Sequence, residues 1–287
     1  MASGLTAPPD AKMSGKIPEM KPSDSVSNAP DREALNAGQL NASGTEPESR
    51  FSRTELLFGR DGMERLSRAR VAVFGLGGVG GYVAEALTRS GIGALEFVDH
   101  DRVSESNLNR QILATADAIG RYKADVARER ALSVNPDAVV TARRTFYTPE
   151  TAAQFDFTRY NYVVDAIDTV TGKLTLVENA YATGTPIISC MGTGNKLYPS
   201  MLEVSDISET SVCPLARVMR KELRKRNIPR LKVVWSRETP LTPHPGGPLR
   251  DSGRPVPGST AFVPAAAGLL LAAEVVRDLL SGQSKNG

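Results

Sequence analysis

The chain has 287 residues, of which 40% are hydrophobic and 23% are charged, and its formal net charge is +3. This length allows an ample core, and the small net charge excludes a uniformly basic nucleic-acid-binding chain, so any such surface must be local. Cys190 and Cys213 lie far apart without a C-x-x-C motif, which excludes a disulfide scaffold and a four-cysteine zinc site. We therefore expect a reducing setting, the cytoplasm.

The N-terminal residues 1–48 are rich in Ser, Pro, Asn, Gly and Asp and poor in aromatic residues. Such a segment cannot bury enough surface to offset the entropy of ordering, so we predict a disordered tail. Met1 to Lys16 lacks the apolar run of a signal peptide. The apolar segment Ala261 to Leu280 contains three charged residues, which favours a packed closing helix over a membrane span.

Strand and helix patterns alternate after the tail, which predicts an α/β, Rossmann-like, doubly wound and mostly parallel sheet. We assign residues 49–195 to this nucleotide-binding domain and residues 196–287 to a C-terminal α+β extension of the same globule. The predicted helices are 54–67, 78–90, 120–134, 149–154, 171–183 and a basic helix over 214–226. The predicted strands are 70–74, 94–98, 138–145, 161–165, 186–189, 201–204 and 232–235.

A G-x-G-x-x-G loop follows the first predicted strand, with glycines at Gly75, Gly77, Gly78 and Gly80. Glycines let the backbone turn tightly and approach phosphate oxygens, while the next helix points its N-terminal amides at them. This motif alone suits NAD, FAD or ATP equally. Asp99 ends the next strand about 20 residues later, where a carboxylate can accept hydrogen bonds from ribose hydroxyls.

Polar side chains further along indicate a triphosphate rather than a hydride-transfer cofactor. Asn107 and Arg110 offer an amide and a guanidinium fork that suit phosphate oxygens. Lys123 stands near a predicted helix start, where a cation opposes the helix dipole unless an anion lies nearby. Asp168 closes the fourth strand of the sheet and is the better candidate of the Asp165/Asp168 pair for Mg²⁺, although an N-cap role is the alternative.

Six motifs occur in order over about 140 residues. They are R-x-x-R (Arg50, Arg53), the glycine loop, D-x-D (Asp99, Asp101), N-x-x-R-Q (Asn107, Arg110, Gln111), G-x-x-K (Gly120, Lys123) and D-x-x-D (Asp165, Asp168). Together they resemble the adenylating domain of the ubiquitin-activating-like superfamily of ThiF, MoeB and HesA.

The resemblance implies that the chain binds ATP and Mg²⁺, with Asp99 on ribose, Asp168 on Mg²⁺, and catalytic charges at Arg110, Lys123 and Asp168. It also implies a homodimer in which Arg53 or Arg50 reaches the partner's ATP site.

The C-terminal half narrows the resemblance to one branch. Members that adenylate the Gly-Gly end of a sulfur-carrier protein often have paired C-x-x-C zinc motifs, which this sequence lacks. Segments 206–217, 234–238 and 257–264 are instead similar to tRNA threonylcarbamoyladenosine dehydratases. The similarity to that branch implies that the substrate is a tRNA carrying threonylcarbamoyladenosine. It implies that this nucleoside is dehydrated through adenylation of its carboxylate, with release of AMP and pyrophosphate. Cys213 departs from the acidic residue of some members, so we assign it no catalytic role.

The charged residues of the predicted basic helix are consistent with an RNA partner, independently of the resemblance. Arg217, Arg220 or Lys221, Arg224 and Lys225 recur at three- to four-residue spacing and can share one face. Three alternatives stay open: adenylation of a ubiquitin-like sulfur-carrier protein, an NAD-dependent Rossmann enzyme, and a non-enzymatic nucleotide-binding scaffold. A sulfur-relay protein or cysteine desulfurase is a further candidate partner.

Overall fold

A computed structural model describes residues 48–249, 253 and 255–282. Its strands form a seven-stranded sheet in the order β3-β2-β1-β4-β5-β7-β6, in which all neighbours are parallel except β6 and β7. The strands are β1 Arg70–Phe74, β2 Ala94–Val98, β3 Val139–Arg143, β4 Tyr162–Asp165, β5 Ile187–Cys190, β6 Leu202–Asp206 and β7 Lys232–Ser236.

Six α-helices cover the sheet or connect its strands, and the predicted doubly wound α/β class is confirmed. Parallel strands buried on both faces need continuous apolar sequence, which β1 and β4 supply. The helices are α1 Ser52–Arg68, α2 Gly80–Arg89, α3 Lys123–Val134, α4 Val170–Thr183, α5 Pro214–Lys225 and α6 Phe262–Ser281.

The register of the central strands brings their carboxyl ends to one level. Phe74 at the end of β1 is paired with Val98 of β2 and with Asp165 of β4. Asp165 is in turn paired with Ser189 of β5. Ligands of open α/β sheets bind at this edge, so the loops that follow these four strands are the place to examine for a site.

The late helix α6 packs against α1 and α2 and contributes a row of buried residues to the largest hydrophobic cluster. The approach is close at Gly268, where an added Cβ would lie 2.4 Å from the carbonyl oxygen of Val79. Pro264 of the same helix would lie 3.2 Å from a Cβ at Gly78. The helix at the end of the described chain therefore supports the loop that precedes α2.

The predicted helix over 149–154 is wrong, because only a 3₁₀ turn over Ala152–Gln154 forms there. The aromatic side chains of Tyr147, Phe155 and Phe157 pack around Phe74 instead, which fixes this segment as an irregular cover of the sheet. The tail predicted over 1–48 lies outside the described residues except for Glu48. None of the described helices combines the length and apolarity needed to cross a membrane.

Glu85 links α2 to α3, because its carboxylate accepts two hydrogen bonds of 3.0 Å from Arg130 and one of 2.7 Å from Arg89. Burial alone would raise the pKa of this carboxyl, but the hydrogen bonds from Arg130 and Arg89 outweigh burial and hold the pKa below its ordinary value of 4.5. A carboxyl with a lowered pKa in the folded state stabilises the fold above its unfolded pKa.

We expect Glu85→Gln to lower the free energy of unfolding by about 1 kcal/mol at neutral pH, because it removes the charge that both arginines contact. The difference from the unmutated chain should shrink as the pH falls below 4.5 and through the lower pKa of the folded state, because the carboxyl is then protonated in both states. Urea denaturation across this pH range measures both effects. Glu64→Gln, an exposed residue of α1, is the control, and an equal loss in both variants would contradict the prediction.

Candidate active site

A cleft of about 570 Å³ opens at the carboxyl edge of the sheet. Its walls come from the loops after β1, β2, β4 and β5, from the start of α5 and from the segment that leads into α6. Eight of the predicted site residues line it: Gly75, Gly77, Gly78, Asp99, Asn107, Arg110, Lys123 and Asp168. These residues lie in one cavity, although the first and the last of them are almost 100 positions apart in the sequence.

The glycine loop brings the start of α2 against the end of β1. A Cβ at Gly80 would lie 1.7 Å from the carbonyl oxygen of Gly75, so no larger residue fits there without moving the backbone. Gly80 supports the loop from behind and is not among the cleft-lining residues. Gly77 has open space where a side chain would stand, its nearest neighbour being Gln111 Nε2 at 3.9 Å. The backbone there is accessible to a ligand.

Asp99 lies at the end of β2 and fixes the loops on either side of it. Its Oδ2 accepts a 2.7 Å hydrogen bond from the Leu76 amide, and its Oδ1 accepts one of 2.8 Å from the Asp101 amide. Burial raises the pKa of the Asp99 carboxyl, although the charge of Lys123 and these two hydrogen bonds act in the opposite direction. Each oxygen keeps a further lone pair for a donor from a ligand.

Lys123 is the first residue of α3 and is only 5% exposed. Its Nζ lies 2.8 Å from Oδ2 of Asp101. The anion expected beside this helix-start lysine is therefore present within the protein itself, as the second carboxylate of the D-x-D motif. The helix-dipole argument therefore no longer requires a phosphate beside Lys123. What supports a phosphate role is that Lys123 lines the cleft.

Asn107 and Arg110 lie on the 3₁₀ turn after β2 and on the residues that follow it. Asn107 is buried, and its Oδ1 accepts from the Ser104 amide at 3.2 Å. Arg110 donates through Nη1 to the Ser106 carbonyl and to Oδ1 of Asn109. Its Nε and Nη2 donate to no acceptor among residues 48–249, 253 and 255–282, so the guanidinium keeps donors for an anion.

Asp168 lies exposed in the loop between β4 and α4. The N-cap position of α4 is Thr169, so Asp168 precedes the cap. Across the cleft, ligand atoms of Asp99, His100 and Asp101 all lie within 4.8 Å of one another. Oxygen ligands are those that Mg²⁺ prefers, and the cleft offers them on both sides.

The N-terminal arginines do not belong to this cleft. Arg50 donates through Nη1 to Asn135 and to Asp137, at 3.0 and 2.8 Å. Arg53 is exposed on the first turn of α1 and is not among the cleft-lining residues. The same helix exposes two large apolar side chains, Leu56 at 86% and Leu57 at 81%.

Gln111 and Lys173 belong to the cleft or to its support but are not among the predicted site residues. Gln111 lines the cleft, and its buried Oε1 lacks a hydrogen-bond partner among the described residues. Its place directly after Arg110 in the N-x-x-R-Q motif was the available signal. Lys173 offered no such signal, because its helix also contains the polar residues Thr171, Thr175 and Glu178.

Asp165 and Lys173 form a buried ion pair below the cleft, with Nζ at 3.0 Å from Oδ2. Lys173 also donates to the carbonyl of Cys190 at 2.7 Å, and Ser189 makes a short hydrogen bond to Asp165. Asp165 further accepts from the Ile167 amide at 3.3 Å. This network holds the β4 loop, which includes Asp168, against the end of β5.

The loop over residues 191–194 and Leu215 of α5 also line the cleft. Below this loop, buried Lys196 donates to the carbonyl of Gly192 at 2.8 Å. Burial lowers the pKa of the Lys196 ammonium, and nearby Cys213 and Glu238 oppose that shift. Cys213 is itself buried at the N-cap of α5.

We expect Lys173→Met to lower the free energy of unfolding by about 3–5 kcal/mol, because it leaves the Asp165 carboxylate buried without its counter-charge. The double variant Lys173→Met/Asp165→Asn should recover part of that loss, since no bare charge remains. Urea denaturation of the four members of this cycle measures the coupling.

Lys225→Met is the matched control, because Lys225 makes an exposed ion pair with Glu222 and should cost less than about 1 kcal/mol. Equal losses at Lys173 and Lys225, or no recovery in the double variant, would contradict the assignment of the buried pair.

Comparison with known proteins places this cleft in a defined context. The model of the ThiF family matches residues 51–286. A tRNA threonylcarbamoyladenosine dehydratase of Bacillus subtilis is 40% identical over 240 residues, which cover 80% of this chain and 94% of that protein. The crystal structure of the Escherichia coli tRNA N6-threonylcarbamoyladenosine dehydratase TcdA with ATP superposes with a TM-score of 0.74 at 32% identity, covering 83% of this chain and 96% of that one.

A relative with the alternative activity matches less of the chain. The sulfur carrier protein ThiS adenylyltransferase of Escherichia coli is 36% identical over 152 residues, 52% of this chain and 60% of that protein. The family match, by contrast, includes both the nucleotide-type cleft and the C-terminal extension. The chain therefore belongs to the ThiF family.

Proposed function

We propose that this chain catalyses the ATP-dependent dehydration of N6-threonylcarbamoyladenosine in tRNA. The observation that carries the proposal is the single cleft that unites the glycine loop, the Asp99 carboxylate, two cations and Asp168. The Bacillus subtilis relative with this activity in its name matches the chain over 94% of its own length. The similar Escherichia coli enzyme has been crystallised with ATP.

In this proposal ATP lies along the carboxyl edge of the sheet. Its phosphates meet the open backbone at Gly77 and the N-terminal amides of α2. The ribose hydroxyls donate to Asp99. Arg110 contacts the phosphates through its Nε and Nη2 donors, and Asn107 and Lys123 complete the polar wall.

The donors present in the cleft suit Mg²⁺, with Asp168 as the proposed protein ligand. One or two carboxylates together with substrate phosphates are the usual Mg²⁺ environment, and Asp168 is an exposed carboxylate that lines the cleft. Bound there, the ion would supply positive charge against the phosphate oxygens.

The chemistry follows from the poor reactivity of a free carboxylate. The threonyl carboxylate attacks the α-phosphorus of ATP, a P–O bond breaks, and pyrophosphate leaves, which gives an acyl-adenylate. The ureido group of the same nucleoside then attacks the acyl carbon, AMP leaves, and the ureido proton goes to water. The ring closes within one nucleoside, so proximity contributes to the rate. Arg110 and Lys123 stabilise the charge that develops on the phosphates.

This route needs no nucleophile from the protein, and neither cysteine is suited to act as one. Cys190 lines the cleft, but burial raises the pKa of its thiol to about 12, which keeps it protonated. Cys213 is buried as well. The two free thiols and the tRNA substrate fit our expectation of a cytoplasmic enzyme. A sulfur-relay partner stays a prediction of the sequence.

We further propose a homodimer in which Arg53 of each chain completes the partner's ATP site. Arg50 is engaged by Asn135 and Asp137, which leaves Arg53 as the arginine of the R-x-x-R motif that can reach outward. The exposed Leu56 and Leu57 one turn away supply apolar surface for such an interface.

We expect Lys123→Met and Asp168→Asn each to lower the rate of dehydration at least about 100-fold, because each removes a charge that acts on the reacting phosphates. The assay combines ATP conversion to AMP and pyrophosphate with mass spectrometry of the nucleosides, which detects the loss of one water. Arg128→Gln is the control, since Arg128 is an exposed residue of the same helix as Lys123 and lies outside the cleft.

The assay compares modified with unmodified tRNA. ATP turnover that is independent of the modification, without the loss of water, would overturn the proposed function. Turnover that instead requires a protein ending in Gly-Gly would establish the sulfur-carrier alternative.

Mixed dimers test the role of Arg53. We expect Arg53→Ala and Lys123→Met to be inactive alone, while an equilibrated mixture regains about a quarter of the unmutated activity, since half of the dimers are mixed and each has one intact site. The measurement is the dehydration rate after mixing. A mixture as inactive as its components, under conditions where mass photometry detects mixed dimers, would contradict the shared site.

A further inference from the structure

Helix α5 has a stripe of three exposed cations, Arg217, Lys221 and Arg224. Residues at positions i, i+4 and i+7 lie on one face of a helix, so these three charges form a row about 10 Å long. None of the three forms an ion pair with another described residue. We call this row the basic stripe.

The other cations around α5 are already engaged, which separates the stripe from an ordinary solvated surface. Arg220 donates to the Thr210 carbonyl at 2.9 Å. Lys225 and Arg226 both contact Glu222, and Arg226 also contacts Glu178. Glu222 therefore neutralises the cations at the C-terminal end of the helix, and no described carboxylate pairs with the stripe.

The uncompensated stripe works against the local stability of the helix. Like charges one turn apart repel each other. Arg217 also lies close to the positive end of the helix dipole, where a cation is unfavourable. An anionic ligand would reverse both effects, and a row of regularly spaced anions would suit all three cations at once.

The position of α5 places one end of the stripe nearer to the cleft than the other. Leu215, in the first turn of the helix, is among the cleft-lining residues. Along the helix axis, Arg217 lies about 3 Å beyond Leu215 and Arg224 about 13 Å beyond it. The stripe lies on the side of the helix opposite Leu215, because residues two positions apart are about 200° apart around the axis. A chain of phosphates can therefore follow the stripe with its Arg217 end nearer to the nucleotide in the cleft.

We propose that the basic stripe binds the sugar-phosphate backbone of the RNA substrate in a fixed direction. Phosphates next to the nucleotide in the cleft contact Arg217, and phosphates progressively further along the RNA contact Lys221 and Arg224. The inference rests on the proposed function for the identity of the RNA. The occupant is RNA because the row presents three regularly spaced cations that no described carboxylate neutralises, which is a phosphate-binding pattern.

The first experiment measures the salt dependence of binding to a synthetic stem-loop RNA whose loop contains either adenosine or threonylcarbamoyladenosine. Each lost phosphate contact lowers the slope of log K against log salt by about 0.7 to 0.9. We expect Arg217→Gln/Arg224→Gln to lower the slope by about 1.5, with ATP affinity unchanged. The control Arg68→Gln/Arg159→Gln removes the same charge from residues that precede β1 and β4, at the opposite edge of the sheet, and should leave the slope unchanged.

The second experiment tests the direction. Both native cysteines are buried, so a cysteine introduced by Arg217→Cys or Arg224→Cys can be labelled selectively with a photo-crosslinker. We expect the label at 217 to reach nucleotides adjacent to the modified base and the label at 224 to reach nucleotides further along. Sequencing of the crosslinked RNA gives the order.

An unchanged salt slope in the α5 variant, or crosslinks in the reverse order, in a chain that dehydrates the modified RNA would overturn this inference and leave the proposed function standing. Failure of dehydration with the unmutated chain would overturn the proposed function alone, because the salt slope and crosslinks report the RNA-binding role of the stripe without turnover. Binding of the unmodified stem-loop with the same slope supports the stripe as a backbone contact.

Discussion

The contact between the backbone at Gly75 and the start of α2 at Gly80 is the constraint from which the rest of the cleft follows. A Cβ at Gly80 would occupy the space of the Gly75 carbonyl, so helix and strand meet without any side chain between them. This approach points the first amides of α2 at the carboxyl edge of the sheet. It also sets the level at which Asp99 and Asp168 stand relative to that helix, because the ends of β1, β2 and β4 are in register.

Two lysines in and below the cleft contact carboxylates before any ligand enters. Lys123 contacts Asp101, and Lys173 contacts Asp165. The two pairs have different consequences. The second is sealed below the loops and holds them together, whereas the first borders the cavity. In the function proposed above, a phosphate competes with Asp101 for the Lys123 ammonium. Part of its attraction to Lys123 is then offset by the loss of an existing contact, which favours reversible binding.

The sequence was sufficient to predict the fold and most of the polar residues that line the cleft, because both follow from local patterns. Short apolar strands that alternate with helices, and a glycine loop at the end of the first strand, are visible without knowledge of distant contacts. No helix forms near Gln154, because the aromatic residues on either side of the 3₁₀ turn fill a tertiary cluster around Phe74, which local propensity does not report. The contact of Lys123 with Asp101 and the burial of Lys173 were missed for the same reason. Each depends on which loops the sheet brings together, and spacing along the chain does not encode that.

The dependence of the glycine loop on α6 has a consequence for how the protein is made. Gly78 and Val79 appear early in synthesis, yet the residues that cover them, Pro264 and Gly268, are among the last of the described chain to be translated. Contacts between segments so distant in sequence are slow to form, because a long loop must close first. Much of the sheet can assemble on the ribosome, but the nucleotide loop acquires its final support only after the closing helix has emerged. A nascent chain therefore completes its cleft only after the last described helix has folded against the glycine loop.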